Sequence, residues 1–134
     1  MDVATAYRRR SVEGATPIGL IVLLYQAAVL ELRRGMAALE ARDIEARTKA
    51  FGRVLAIIGE LKRSLDFERG GEVARNFARF YYLSERILLD CSVRQELGQL
   101  PDLLEQFQRI LEAWRQVDAR PTPAPAQLNA AWQA

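Results

Sequence analysis

Apolar residues recur at three- and four-residue steps along most of this 134-residue chain, and no window alternates apolar and polar residues long enough for a strand. That period is helical, so the apolar half of the sequence can be buried only by packing amphipathic helices together. Thr16-Pro17 reads as a helix start, with Thr as the cap and Pro at the first helical position. A first helix is predicted from there to about Arg42, with Ile18, Ile21, Tyr25, Val29, Leu32, Met36 and Leu39 on its inner stripe. Asp43 caps a second, with Ile44, Phe51, Leu55, Ile58, Leu61 and Leu65 inward, and Gly70-Gly71 is expected to end it. A third is predicted over residues 72–93, pointing Val73, Phe77, Phe80, Ser84, Ile87, Leu88 and Cys91 inward. The fourth starts at Pro101 and buries Leu104, Phe107, Leu111 and Trp114, with Ile110 and Val117 flanking. Short connections between four such helices predict an all-α, antiparallel four-helix bundle over residues 17–119. Residues 1–16 read as a mobile N-terminal segment. Residues 120–134, where Pro121, Pro123 and Pro125 alternate with Thr and Ala, read as a disordered Pro/Ala-rich tail.

Composition removes most reactive chemistry. There is no histidine and a single cysteine, Cys91, at a helical apolar position. The usual general base, the usual metal ligands and any intrachain disulfide are therefore missing. Gly70-Gly71 is not followed by the Gly-Lys-Ser/Thr of a phosphate loop, and Ser11, Ser64, Ser84 and Ser92 lack a base partner. Glu31, Glu40, Glu45, Glu60, Glu72, Glu85 and Glu112 sit among Arg and Lys at helical spacing and read as solvated ion pairs. No enzyme, cofactor or metal site is expected. The net charge of +2 is small and the acids are interspersed, unlike the concentrated basic patch of a nucleic-acid binder. The opening Met1-Asp2-Val3-Ala4 is not a signal peptide, and the longest apolar run is too short for a membrane span. A cytoplasmic protein that does not insert into membranes is expected.

Function must then lie in surfaces. Leu20, Leu23, Ala27 and Leu30 form a second apolar row on the first helix. It reads either as a groove for another segment or as a stripe wide enough to face two neighbouring helices. Tyr82 and Leu89 point away from Phe77 and Phe80, bordered by Arg75, Arg79 and Arg86, a composition common at interfaces. Gly52 and Gly59 share one face of the second helix and permit close approach, by a neighbour within the bundle or by a client. In the lead-in, Tyr7 and Val12 are candidate groove fillers beside Arg8-Arg9-Arg10.

Three blocks carry a family resemblance. Thr5-Ala6-Tyr7 with Val12-Glu13-Gly14-Ala15-Thr16-Pro17, then Leu20-Ile21-Val22-Leu23-Leu24-Tyr25, then the run from Leu65 to Tyr81 around Gly70-Gly71-Glu72 resemble the flagellin-specific export chaperones of the FliS family. Gln26-Ala27 stands where that family has Asp-Gly, and Tyr82 where Asp is common. The resemblance implies a cytoplasmic helical chaperone that binds the disordered C-terminal segment of flagellin. Such a chaperone prevents premature polymerisation and aids delivery to the flagellar type III export gate. Implied partners are that segment and the export gate protein, without nucleic acid, the free chain being a monomer or weak homo-oligomer. Carried over by position, Tyr7 and Val12 belong to the lead-in, Leu20, Leu24 and Tyr25 to the first-helix motif, and Asn76, Phe80 and Tyr81 to the second. An alternative reading is a small helical regulatory or adaptor protein using its basic N-terminal segment on nucleic acid or an anionic surface.

Overall fold

Three of the four helices begin behind a side chain that takes up free backbone N–H groups at the helix start. The structure, a computed structural model, describes residues 16–119. Helix α1 (Pro17–Glu40) starts behind Thr16, whose Oγ1 accepts from the Gly19 N–H at 2.9 Å. Helix α2 (Ile44–Arg63) starts behind Asp43, which accepts from Ala46 at 3.0 Å. Helix α3 (Phe67–Arg94) starts behind Asp66, which accepts from Glu68 and Arg69 at 3.1 Å each. Helix α4 (Leu100–Asp118) has Pro101 in its first turn and no side-chain cap.

The strong cap at Asp66 moves one boundary from its expected place. The second helix ends at Arg63, before the glycines, and Gly70-Gly71 fall inside α3. Gly71 has φ 51° and ψ −122°, a conformation in which an L side chain is strained. It offsets the turn Phe67–Gly70 from the rest of the helix.

The four helices form an antiparallel bundle in which α1 packs on α2 and α4, and α3 packs on the same two from the opposite corner. The Thr16 hydroxyl donates to Asp118 Oδ1 at 3.2 Å, joining the start of α1 to the end of α4. The α1–α2 and α1–α4 approaches are close because small residues line them. Ala27, Ala28, Ala38 and Ala50 are buried, and a Cβ on Gly35 would stand 2.2 Å from Cε1 of Phe51. Glu31 departs from the solvated reading: it is buried, with Arg34 at 2.8 Å and Arg53 of α2 at 3.6 Å. Its position on the close α1–α2 seam leaves the side chain only 5% exposed.

Helix α3 stands off from its neighbours, and aromatic rings fill the space. Phe80 lies 5.1 Å from Phe107 and 5.9 Å from Tyr81 between ring centroids. Tyr25 lies 5.4 Å from Phe107, and Phe77 lies 5.7 Å from Trp114. The inner face of α4 is turned relative to the sequence expectation. Leu103, Ile110 and Val117 are buried, whereas Leu104 and Trp114 are only partly covered. The cause is its neighbour, since α4 leans more on α1 than on α3. Among the described residues, no helix is long and apolar enough to cross a membrane.

Candidate docking surface

Helix α1 must satisfy two neighbours at once, so its second apolar row is largely consumed. Leu24, Tyr25 and Ala27 are buried, Leu20 and Leu23 are half-buried, and only Leu30 is exposed. Among the described residues, the other exposed large apolar side chains lie on α3, except Ile44, which at the start of α2 is exposed and not inward as its spacing suggested. Tyr82, Leu83, Leu89 and Val93 are 57%, 57%, 53% and 83% exposed, too open for any of them to serve the core. Tyr82, Leu89 and Val93 follow one another at seven- and four-residue steps and form a single row.

An ion pair fixes where this row sits. Lys62 Nζ meets Glu85 Oε1 at 3.0 Å, so those two residues mark the facing flanks of α2 and α3. One turn back along α2 is Gly59, and one turn forward along α3 is Leu89. Because the helices are antiparallel, both lie at the same level. A Cβ on Gly52 would meet nothing within 4 Å among the described residues, and one on Gly59 only the Arg63 guanidinium at 3.7 Å. Packing within the described bundle therefore gives no reason for either glycine. Gly59 thus leaves the α2 surface low at the level of the exposed Leu89. Gly52→Ala is expected to stabilise the free protein by about 0.5–1 kcal/mol through helix propensity alone. Chemical denaturation checks this directly.

An apolar recess opens at the end of the bundle where α1 starts and α4 finishes. It encloses about 440 Å³ and is lined by Ile18, Ile21, Leu65, Val73, Phe77 and Trp114, among others. Tyr81 also lines it, and the Tyr81 and Tyr25 hydroxyls share a buried hydrogen bond of 2.8 Å. Burial raises both phenols well above the ordinary value of 10.0; for Tyr25 the neighbouring Tyr81 adds to the rise, and for Tyr81 the bond to Tyr25 opposes it. Trp114 presents its indole N–H toward Tyr25 and opposes the rise there, yet Nε1 is buried without completing a hydrogen bond.

The sign of the pH effect follows from those shifts. Well below pH 10 both phenols are protonated whether the chain is folded or unfolded, and they add no pH dependence. Above it the unfolded chain releases protons that the folded chain retains, so stability falls as pH rises. The unfolding midpoint is expected to hold below about pH 9 and drop steeply above about pH 10. The drop should be shallower in a Tyr25→Phe, Tyr81→Phe double variant.

The residues singled out from sequence thus separate into groups. Tyr7, Val12 and Arg8-Arg9-Arg10 lie outside the described residues. Tyr25, Tyr81, Phe80, Leu24 and Ala27 are interior, and of this group Tyr81 also lines the end recess. Asn76 is half-buried, and its Oδ1 accepts from Arg79. Gly52 and Gly59 lie on α2 to one side of the Lys62–Glu85 contact and Tyr82 lies on α3 to the other, so the three do not form one cluster. Leu83, Val93 and Phe67 are also exposed on α3 and were not singled out, Leu83 on the side toward α4. Their signal was position, since Val93 lies on the row of Tyr82 and Leu89. Cys91 is buried, its Sγ donates to the Leu97 carbonyl at 3.3 Å, and burial pushes the thiol pKa up, so it is held unreactive.

Among known proteins, the family profile described as "Flagellar protein FliS" matches residues 1–121. The flagellar secretion chaperone FliS of Salmonella typhimurium is 33% identical over 120 residues, covering 86% of this chain and 89% of its own. The flagellar secretion chaperone FliS of Campylobacter jejuni is 30% identical over 119 residues, covering 89% and 93%. That of Bacillus subtilis is 28% identical over 112 residues, covering 84% and 83%. An all-helical bundle with exposed apolar side chains along α3 fits such a role, and the chain belongs to the FliS family of flagellar secretion chaperones, which are not enzymes.

Proposed function

We propose that this protein binds the disordered C-terminal segment of flagellin in the cytoplasm, keeps it from polymerising early, and presents it to the flagellar type III export gate. The observation that carries this reading is the uncovered apolar row of α3 beside the open glycine face of α2. A disordered segment folding as a helix along that row buries its own apolar face and covers Tyr82, Leu89 and Val93 together. The ordering of such a segment costs several kcal/mol, so the surface must offer a long continuous contact and not a single anchor. The end recess extends the contact, giving an apolar side chain of the client a place beside Trp114 and Phe77. Sequestered in this way, the segment has no free surface with which to join a filament.

The test is co-purification with the C-terminal 40 or so residues of the host's flagellin. A one-to-one complex, with more helical circular dichroism than the two parts summed, supports the reading. Absence of a complex at micromolar concentration contradicts it.

A further inference from the structure

The outermost row of α3 is not only apolar. Read along the helix, it is Arg75, Arg79, Tyr82, Arg86, Leu89 and Val93, residues that share one side at three-, four- and seven-residue steps. It contains three guanidiniums and no carboxylate. Other cations of the same helix are matched with acids of its own: Arg69 lies 3.8 Å from Asp66, and Arg94 lies 2.9 Å from Asp90. Glu85, on the inner flank, is taken by Lys62 of α2. Glu72 stands one turn before Arg75 at the beginning of the row. Among the described residues, Arg75, Arg79 and Arg86 have no carboxylate within ion-pair distance. Arg79 is held by Asn76, and Arg86 lies over the Tyr82 ring at 6.0 Å with a 3.4 Å contact to its hydroxyl.

From this we infer that the client segment lying along α3 is an acidic amphipathic helix. Its apolar face covers Tyr82, Leu89 and Val93, and its carboxylates meet Arg75, Arg79 and Arg86. The inference rests on the proposed binding of flagellin and specifies the chemistry of that same surface. Charge selects the occupant. A second copy of this chain laid antiparallel on the row would set Arg75 and Arg79 against Val93 and Leu89 and bring no carboxylate to the guanidiniums, so self-pairing is disfavoured. A nucleic acid would satisfy the guanidiniums but leave Leu89 and Val93 against a charged backbone. An acidic helix satisfies both kinds of group. It also gains a faster encounter and a fixed register from the charges, because arginines held by Asn76 and Tyr82 are already placed along one line.

The experiment measures affinity for the flagellin C-terminal segment at about 0.1 M and about 1 M NaCl, between which the screening length falls from ~10 Å to ~3 Å. Wild type is compared with the R75Q/R79Q/R86Q variant. The same segment with its Asp and Glu changed to Asn and Gln serves as a second ligand. The variant is expected to bind about tenfold more weakly at low salt, with the difference gone at high salt. The neutralised segment should show the same loss against wild type and little further loss against the variant. Circular dichroism confirms that the variant is folded, as expected for exposed positions. Equal affinity of wild type and variant at low salt overturns the acidic-helix inference and leaves flagellin binding standing. No binding by wild type at either salt concentration overturns both. Competition of the segment by a single-stranded DNA 20-mer at similar affinity also overturns the inference, by assigning the arginines to nucleic acid.

Discussion

Phe107→Ala is expected to cost about 3–5 kcal/mol of stability and to lower the melting temperature by roughly 15 °C or more. Phe107 is fully buried and joins two sides of the bundle, with Tyr25 of α1 at 5.4 Å and Phe80 of α3 at 5.1 Å. Because α3 is kept apart from its neighbours by these rings, removing one leaves space that the rigid helices cannot close. The cost therefore includes a cavity as well as lost transfer energy. A domain of this size has on the order of 5–15 kcal/mol of net stability, so the variant should sit near the edge of folding. Thermal and denaturant unfolding measure it. A loss below about 1 kcal/mol would mean that the aromatic cluster is not what spaces the helices.

Replacing Tyr82 and Leu89 together by Gln should act in the opposite way. Both are more than half exposed, and Gln is a good helix former, so stability should change by no more than about 0.5 kcal/mol. Affinity for the flagellin segment should fall by about 100-fold, near 3 kcal/mol, because both residues belong to one continuous contact. Titration calorimetry beside a melting curve separates the two effects. Full affinity in the double variant would remove α3 from the client surface. The two substitutions together divide the aromatic content of this chain into rings that hold the bundle and rings that face outward.

Much of this division was legible in the sequence. The four helices, the caps at Thr16 and Asp43 and the inward Phe77, Phe80 and Phe107 follow from periodicity and cap chemistry. Tyr82 and Leu89 were readable as outward because they lie off the phase of Phe77 and Phe80. What was not legible depends on which helix packs on which. Leu20, Leu23 and Ala27 resemble surplus until α1 is seen to face both α2 and α4. Leu24 and Ala27 are then core, and a stripe this wide is required. The same arrangement turns α4 so that Ile110 and Val117 are buried, and it encloses Glu31, whose spacing from Arg34 matches any solvated pair. Gly70-Gly71 resembles a helix end, but Asp66 caps the following helix four residues before Gly70, and the glycines became a kink inside it. Gly52 and Gly59 were ambiguous between packing and docking. The empty space around Gly52 answers only the packing half of that question.

Hydrogen exchange of this protein, free and saturated with the flagellin C-terminal segment, reports where the client lies. The uncovered row of α3 and the glycine face of α2 predict that exchange slows most over residues 78–93 and 52–62, on the outward sides of those two helices. Slowing confined to α1 and α4, with α3 exchanging as it does in the free protein, would contradict the assignment of that surface to a client.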